Sequence, residues 1–385
     1  MKKTNKRLSL LVVLLVVLAT LAFIVLNKNY ENIPFKRNTE ARDDSIKMAE
    51  ALKLQDQIGN PVQAKAETTP VYSLVGEDAA DDPAIWINTE SPENSLIIGT
   101  DKKAGLYSYN LKGEIVQFLN AGELNNVDLR PNFIHLNKSK TIIAASNRST
   151  NTISLFLLNP ETLLISNSQL EIESSVNEVY GLCMYKDQTD RFYVFVNGKD
   201  GTIEQYEILS EDHVLVSKFC RKLQANSQPE GLVANDMTSD LFIGVEEEGI
   251  FLANASPDAG SEMEQIPMST KSDNQLIDYD IEGLAIYQNL TDSYLIASIQ
   301  GNFSYAIYDI KNTDSINYIT SFTITDGPFD GAEETDGLEV SSFAINADYP
   351  EGMLVVQDGF NYQGKTLVSQ NFKYIPWHEI EKYLK

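Results

Sequence analysis

A short motif recurs along this chain at a spacing close to 50 residues. In the four clearest copies an acidic or tyrosyl residue precedes a glycine and a leucine, and two looser copies lie upstream at 82–86 and 126–129. The four glycines, spaced 50, 52 and 54 residues apart, are Gly181, Gly231, Gly283 and Gly337. Six copies of this length match the four-stranded blades of a β-propeller. The repeat therefore predicts an all-β, six-bladed β-propeller.

From about residue 69 to the end, the pattern of apolar and turn-forming residues agrees with this prediction. Short runs rich in Val, Ile, Tyr, Phe and Leu, such as 192–196, 241–245 and 353–357, alternate with Gly, Asn, Asp and Ser. Such runs, bounded by turn residues, are typical of strands. We therefore assign residues 69–385 to the propeller domain.

Each motif copy is followed, about 16–22 residues later, by an apolar strand that ends in a polar residue. In a propeller the innermost strands line a central channel, so equivalent positions of successive blades form a ring on one face. The first ring is predicted to hold Asp81, Asn126, Tyr180, Glu230, Glu282 and Asp336. The second is predicted to hold Lys102, Arg148, Lys199, Glu246, Gln300 and Asp358.

The acidic members of these rings come mainly from the last three blades. They include Glu230, Glu246, Asp280, Glu282 and Asp336. Carboxylates held this close repel one another when ionised. Ca²⁺ offsets such repulsion because it accepts six to eight oxygen ligands in loose geometry. Zinc fits poorly, because the three histidines have no ligand-like spacing. The sequence therefore predicts a face of the propeller that binds Ca²⁺.

The basic members come from the first three blades. Lys102, Arg148 and Lys199 match a phosphate group in charge and in donor geometry. A bound metal can lower the pKa of a water molecule and stabilise charge on phosphoryl oxygens. Two interpretations follow from the residues alone: a site that hydrolyses phosphate esters, or a structural calcium site that only tightens the channel.

The charge of the chain excludes some classes of binding partner. The formal net charge is −25, and residues 69–385 carry 19 basic and 48 acidic residues, a net charge of −29. A body this acidic repels nucleic acid and anionic membranes. It can bind an anion where cations intervene or where basic side chains are focused. We expect a monomer that binds no nucleic acid.

The amino terminus carries a targeting signal. Basic residues precede an apolar run, 8–26, whose 19 residues would form a helix about 28 Å long, enough to span a bilayer core. A cleaved signal peptide is the alternative, although no A-x-A-like site ends the run. Under either interpretation the domain that follows this segment is exported, and the positive-inside rule places it outside. We therefore expect a transmembrane anchor or signal sequence at 1–26, a linker at 27–68, and a propeller outside the cytoplasmic membrane.

Only two cysteines occur, Cys183 and Cys220, and both lie in runs that read as strands. Two cysteines do not make a disulfide framework. Buried free thiols are one interpretation, and a single disulfide in an exported domain is the other.

At the positions of the rings the sequence resembles the β-propeller phytases, the alkaline, calcium-dependent 3-phytases of bacteria. The resemblance covers residues from about 70 to 380, and its ordered matches make it specific. The segments that carry it include DDPAIW (81–86), TDKKAGLY (100–107), LNNVDLR (124–130), NEVYG (177–181), SQPEGL (227–232), DIEGL (280–284), ETDG (334–337) and QNFKYIPW (370–377).

The resemblance implies a six-bladed propeller with calcium ions on one face. It implies hydrolysis of phytate, myo-inositol hexakisphosphate, or other inositol polyphosphates as calcium complexes. In that family a calcium-bound water attacks phosphorus directly, while a neighbouring site holds an adjacent phosphate. A propeller that binds phosphorylated ligands without turnover, or another phosphomonoesterase on the same fold, is the alternative.

The resemblance also implies roles for individual residues. Ligands of the active-site calcium would be Asp81, Glu230, Glu246, Asp280, Glu282, Gln300 and Asp336. Contacts to phosphate would be Lys102, Arg148, Tyr180 and Lys199, with Lys103 and Asn177 on the adjacent-phosphate side. A stabilising calcium would use Asp82, the carbonyl of Val127 and Asp330. The residues expected to take part in catalysis are Lys102, Arg148, Tyr180, Lys199, Glu230 and Glu246.

Two positions depart from the family pattern. Val245 stands where an acidic residue usually precedes Glu246, and Asn235 stands where an Asp is common. We expect these differences to alter a peripheral ion and not the central cluster.

Overall fold

The computed structural model describes residues 46–384 of the chain. The chain divides into two compact units, Met1–Lys53 and Leu54–Lys385. The described part of the first unit, 46–53, is helical. The predicted apolar segment at 8–26 lies outside the described residues. Between residues 46 and 384 no helix has the length and apolar character needed to cross a membrane.

Six blade sheets, one for each predicted blade, make up most of the second unit, and the successive strands of each blade pair antiparallel. Two short strands come first: β1 (Pro61–Val62) and β2 (Ala66–Glu67). Blade I consists of β3 (Ala80–Trp86), β4 (Leu96–Asp101), β5 (Gly105–Tyr109) and β6 (Ile115–Asn120). Blade II consists of β7 (Leu124–His135), β8 (Lys138–Asn147), β9 (Thr152–Asn159), β10 (Leu164–Ile165) and β11 (Leu170–Glu173). Blade III consists of β12 (Val179–Lys186), β13 (Phe192–Gly198), β14 (Thr202–Glu211) and β15 (Val214–Gln224).

The second half of the unit repeats the arrangement. Blade IV consists of β16 (Pro229–Asn235), β17 (Asp240–Val245), β18 (Gly249–Asn254) and β19 (Glu264–Gln265). Blade V consists of β20 (Ile281–Gln288), β21 (Ser293–Ile299), β22 (Ser304–Asp309) and β23 (Asn317–Ile324). Blade VI contains β24 (Leu338–Ser341), β25 (Met353–Asp358) and β28 (Asn371–Pro376), with a hairpin of β26 (Tyr362–Gln363) and β27 (Thr366–Leu367). Short 3₁₀ helices span Pro92–Asn94, Gln300–Asn302 and Thr313–Ser315, and a final α-helix spans Trp377–Glu381.

The innermost strands β3, β7, β12, β16, β20 and β24 contact one another in a closed ring, with β24 against β3. The predicted six-bladed β-propeller is therefore confirmed. Blade VI takes its outermost strand from the start of the domain, because β2 pairs with β28. Strand β1 adds a parallel strand to blade V beside β23. Residues 61–62 and 66–67 thus belong to the sheets, whereas the sequence analysis placed them in the linker. Strands of two residues have no alternating pattern that a sequence could reveal.

Six apolar clusters hold the ring together, and each lies between two neighbouring blades. Between blades II and III, for example, Ile142 and Leu155 belong to the same buried cluster as Met184 and Val194. Each fully buried aliphatic or aromatic side chain contributes roughly 1.5–3 kcal/mol through the hydrophobic effect. Both cysteines are free thiols, and Cys183 is buried between blades III and IV.

The repeated glycines lie where neighbouring blades approach most closely. A Cβ atom at Gly181 would lie 1.8 Å from the carbonyl oxygen of Glu230, and one at Gly231 would lie 2.1 Å from that of Glu282. Gly283 meets the carbonyl of Asp336 in the same way, at 2.7 Å. Each glycine therefore allows one innermost strand to pack on the acidic residue of the next blade.

We expect Gly231→Ala to lower the free energy of unfolding by about 1–3 kcal/mol, because the added methyl group forces two innermost strands apart. Gly59→Ala is the matched control, since a Cβ there meets no atom within 4 Å. Chemical denaturation of both variants measures the effect. Equal stability of the two variants would contradict the close approach of the strands.

Candidate active site

A polar residue stands at the end of the second strand in every blade. Lys102, Arg148, Lys199, Glu246 and Gln300 each directly follow such a strand, and Asp358 ends β25. In blades I–V the backbone N–H of this residue donates to a carbonyl just before the innermost strand. The five donor–acceptor pairs, at 2.7–3.2 Å, are Lys102–Ala79, Arg148–Glu123, Lys199–Asn177, Glu246–Gln228 and Gln300–Asp280. One recurring hydrogen bond thus brings the two predicted rings together.

A β-bulge turns the first ring toward this end of the channel. In blades I–V the register of the innermost strand slips by one residue at the repeat motif, for example between Val179 and Leu182 in blade III. Bulges re-aim side chains and occur beside active sites. The motif residues are therefore the ones whose side chains leave the regular alternation of the strand.

Three carboxylates form the centre of the site. One oxygen from each of Glu230, Glu246 and Glu282 lies within 4.8 Å of the other two. Glu230 and Glu282 are buried, and within residues 46–384 Oε2 of Glu282 has no hydrogen-bond partner. The nearby side chain of Asp81 is 1% exposed; its Oδ1 lies 2.9 Å from Nζ of Lys102, whereas its Oδ2 meets no donor among the same residues. Buried oxygens without partners are costly, so this cluster is suited to a cation.

The carboxylates destabilise the charged forms of one another. Burial and the charge of Glu230 raise the pKa of Glu282 well above its ordinary value. Burial also raises the pKa of Glu230, despite a hydrogen bond with Glu282. Burial and the charge of Glu230 raise the pKa of Glu246 to about 7. For Asp336 burial is again the largest cause of a raised pKa, and Asp81 adds to it.

Lys102 joins the carboxylates of two blades. Its Nζ lies 2.8 Å from Asp336, 2.9 Å from Asp81 and 2.8 Å from Asp78, and its side chain is 8% exposed. Burial alone would lower the pKa of Lys102, but these carboxylates outweigh burial and raise it well above its ordinary value. Lys102 is therefore a permanent cation on the border of the acidic cluster.

Arg148 and Lys199 stand beside the cluster and are more exposed. Both contact Glu178, whose Oε1 lies 2.8 Å from Lys199 Nζ and 3.5 Å from Arg148 Nη2. Lys199 also lies over the ring of Tyr180, 5.1 Å from its centroid. Burial, followed by the charge of Glu230, raises the pKa of Tyr180, so its hydroxyl stays protonated. These side chains form a basic surface next to the acidic one, as the rings predicted.

The remaining predicted residues of the central site lie around this core. Gln300 Nε2 donates to Oδ1 of Asp336 at 2.6 Å, and the carbonyl of Asp280 accepts from the backbone of Gln300. Lys103 is exposed, and its N–H donates to the carboxylate of Asp101 at 2.8 Å. The side chain of Asn177 is exposed before β12.

The predicted stabilising site is only partly assembled. Asp82 and Val127 are adjacent, because the N–H of Val127 donates to Oδ2 of Asp82 at 2.9 Å. Among residues 46–384 no hydrogen bond joins Asp330 to either of them. Its carboxylate instead contacts the ammonium group of the buried Lys373. Asp358, predicted to lie in the second ring, also faces Lys373, at 3.2 Å, and is fully buried. Lys373 lies on the third strand of blade VI, so the ring pattern gave no sign of it.

The sequence analysis missed four residues that touch the site. Glu178 and Asp78 pair with basic side chains, Gln228 donates to Glu246, and Asn125 accepts from Arg148 at 3.3 Å. Glu178, Asn125 and Gln228 lie inside segments that carry the resemblance, one or two positions from a predicted residue. Their proximity in sequence was the available signal. Most of these contacts lie within one blade, and Glu178 also reaches Arg148 of the preceding blade.

The fold and site define a β-propeller whose channel face joins a carboxylate cluster to a basic surface. The sequence matches the model of the family described as Phytase over residues 39–385. A 3-phytase from Bacillus subtilis (strain 168) is 42% identical over 332 residues, which cover 84% of this chain and 85% of that protein. The chain belongs to the phytase family, whose members are phosphoric monoester hydrolases.

Solved structures resemble the chain more remotely. A protein of unknown function from Desulfotomaculum acetoxidans DSM 771 gives a TM-score of 0.43 at 14% identity, covering 61% of this chain and 70% of that one. BBS1N in complex with ARL6DN gives a TM-score of 0.41 at 12% identity, covering 73% of this chain and 74% of that one. Likenesses at this level carry no argument about the site.

We expect the metal-free protein, kept in a chelator, to lose stability as the pH rises from about 5 to about 8. The pKa of Glu246 is about 7 in the fold against an ordinary 4.5, so the folded state holds this proton more tightly. Its contribution is complete below pH 4.5 and is lost as the pH rises through 7. The slope for one proton is at most about 1.4 kcal/mol per pH unit, and the partial exposure of Glu246 reduces it.

Thermal unfolding at several pH values measures this slope. Glu246→Gln should flatten it, whereas Glu264→Gln, an exposed residue on the outermost strand of the same blade, should leave it unchanged. A slope that is the same in Glu246→Gln as in the parent protein would show that Glu246 does not titrate in this range.

Proposed function

We propose that the chain hydrolyses the phosphate monoesters of phytate in a calcium-dependent reaction and releases orthophosphate. The observation that carries the proposal is the buried carboxylate cluster of Glu230, Glu246 and Glu282 beside the basic surface of Arg148 and Lys199. Membership of the phytase family and the 42% identity to a protein named 3-phytase support the choice of substrate.

The residues of the cluster fit Ca²⁺. Oxygens of three carboxylates within 4.8 Å of one another, together with Oδ2 of Asp81 and Oε2 of Glu282, which are buried without a donor among the described residues, are the hard ligands that Ca²⁺ prefers. The ligands we propose are Asp81, Glu230, Glu246, Asp280, Glu282, Gln300 and Asp336. When bound, calcium would offset their charge, lower the pKa of a water molecule and balance charge on the phosphate.

The side chains of the basic surface would bind and orient the phosphate. Arg148 presents a planar fork of donors, and Lys199 adds a point charge held over Tyr180. Lys102 would contact the same phosphate from the acidic side, where Asp336 and Asp81 fix its ammonium group. Charges fixed before the substrate arrives stabilise the transition state without reorganisation.

A second set of donors would hold the neighbouring phosphate of the substrate. Lys103 directly follows Lys102, and the carbonyl of Asn177 accepts from the N–H of Lys199 at 3.2 Å; both side chains are exposed. Contacts to a phosphate that does not react would position the inositol ring. The binding energy of these contacts would favour polyphosphorylated substrates. The net charge of −29 on residues 69–385 would make calcium a required partner of the polyanion.

Purified full-length chain should release phosphate from phytate with Ca²⁺ and should lose this activity in excess chelator. Glu230→Gln and Lys199→Ala should each lower kcat/KM by about 100-fold or more, because the first removes a charged ligand of the proposed calcium ion and the second removes a positive charge aimed at the reacting phosphate. The matched controls are Glu264→Gln and Lys218→Ala, exposed residues on the outer strands of the same blades.

Activity of Glu230→Gln equal to that of its control would refute the assignment of the site. If the parent protein binds phytate in a calcium-dependent way but releases no phosphate, the function is binding and not hydrolysis.

We also propose that the chain is exported and held at the outer side of the cytoplasmic membrane by its apolar segment 8–26. The basic residues before the segment and the absence of an A-x-A-like end support an uncleaved anchor. Membrane fractionation with amino-terminal sequencing tests this: the intact amino terminus should remain with the membrane. Mature protein in the medium without residues 1–26 would indicate a cleaved signal peptide instead.

A further inference from the structure

Glu178 is an acidic residue in the middle of the basic surface. Its Oε1 lies 2.8 Å from Nζ of Lys199 and 3.5 Å from Nη2 of Arg148. The two cations come from different blades, since Arg148 follows the second strand of blade II and Lys199 that of blade III. One carboxylate therefore bridges the two side chains that are best placed to bind a phosphate.

The turn that carries Glu178 is built to hold it there. The side chain of Asn151 accepts from the N–H of Val179 at 2.9 Å and donates to the carbonyl of Val176 at 3.1 Å, so it clamps both ends of the turn. The N–H of Lys199 donates to the carbonyl of Asn177 at 3.2 Å. Glu178 itself has a φ of 59°, which is uncommon for a residue other than glycine. The fold thus fixes the backbone of Glu178 beside both cations.

The ion pairs of Glu178 differ in kind from those of Lys102. Lys102 is 8% exposed, and two of its three carboxylate partners are largely buried. Glu178 is 49% exposed, Lys199 33% and Arg148 29%. Ion pairs between exposed groups are weak and are easily exchanged for other partners. A phosphate that brings two negative charges could therefore displace the carboxylate of Glu178 by rotation of its side chain.

We propose that Glu178 is a selectivity residue whose carboxylate occupies the phosphate position between Arg148 and Lys199 until substrate displaces it. The inference rests on the proposed function, because it concerns the same site. A substrate with several phosphates has other contacts that offset the displacement. Orthophosphate and esters with a single phosphate have none, so Glu178 weakens their binding and favours release of the product.

The test compares Glu178→Gln with the parent protein, both as the full-length chain with a fixed concentration of Ca²⁺. Glutamine keeps the shape and removes the charge. The inhibition constant of orthophosphate and the KM for p-nitrophenyl phosphate should each fall by about three- to tenfold. The KM for phytate should change less, and kcat for phytate should stay within about twofold. Glu123→Gln is the matched control, because it removes one exposed charge at the same end of the channel.

Direct titration of orthophosphate into each protein separates this proposal from the proposed function, because it requires no turnover. Tighter binding to Glu178→Gln than to Glu123→Gln supports the role of Glu178 even if phytate is not hydrolysed. Equal or weaker binding to Glu178→Gln, at an unchanged melting temperature, overturns it. Glu178 would then only hold Arg148 and Lys199 in place.

Discussion

The close packing of each repeated glycine on the next blade is the constraint on which the site depends. Gly181, Gly231 and Gly283 each lie against the carbonyl of the acidic residue in the repeat motif of the next blade. The N–H of Gly337 donates to the carbonyl of Asp81 at 3.0 Å, which continues the series across the junction between blades VI and I. A side chain at these positions would widen the channel and separate the carboxylates. The fold therefore brings the acidic residues together through the same contacts that close the ring.

This packing has an electrostatic cost that the site does not remove with protein groups alone. Burial raises the pKa of Glu230, Glu282 and Asp336, and it does so although the permanently charged Lys102 is adjacent to Asp336. One ammonium group cannot balance several buried carboxylates, and among residues 46–384 Oδ2 of Asp81 and Oε2 of Glu282 remain without a donor. The calcium ion proposed above would offset this charge. Residual charge of this kind marks a functional site, because a purely structural core would have been built from apolar groups.

The sequence predicted those features of the fold and the site that the repeated motif determines. The number of blades, the two rings and the junction of acidic and basic surfaces all follow from equivalent positions such as Lys199 and Glu246. It could not predict contacts that depend on residues outside the repeat. The strand Ala66–Glu67 is too short to show a pattern, yet it completes blade VI. Asp358 occupies an equivalent position but turns to Lys373, a cation on a different strand whose placement depends on three-dimensional packing.

Under the role proposed for Glu178, the division of the site into two kinds of ion pair would allow an acidic domain to select a polyanion. On one side, Lys102 is buried among carboxylates and stays where it is. On the other, Arg148 and Lys199 share the exposed carboxylate of Glu178 and, as proposed, would exchange it for a phosphate. Until that exchange the surface is less positive than two free cations would make it, so weakly charged ligands would gain little by binding. A ligand with many charges, accompanied by cations of its own, is the one that such a surface favours.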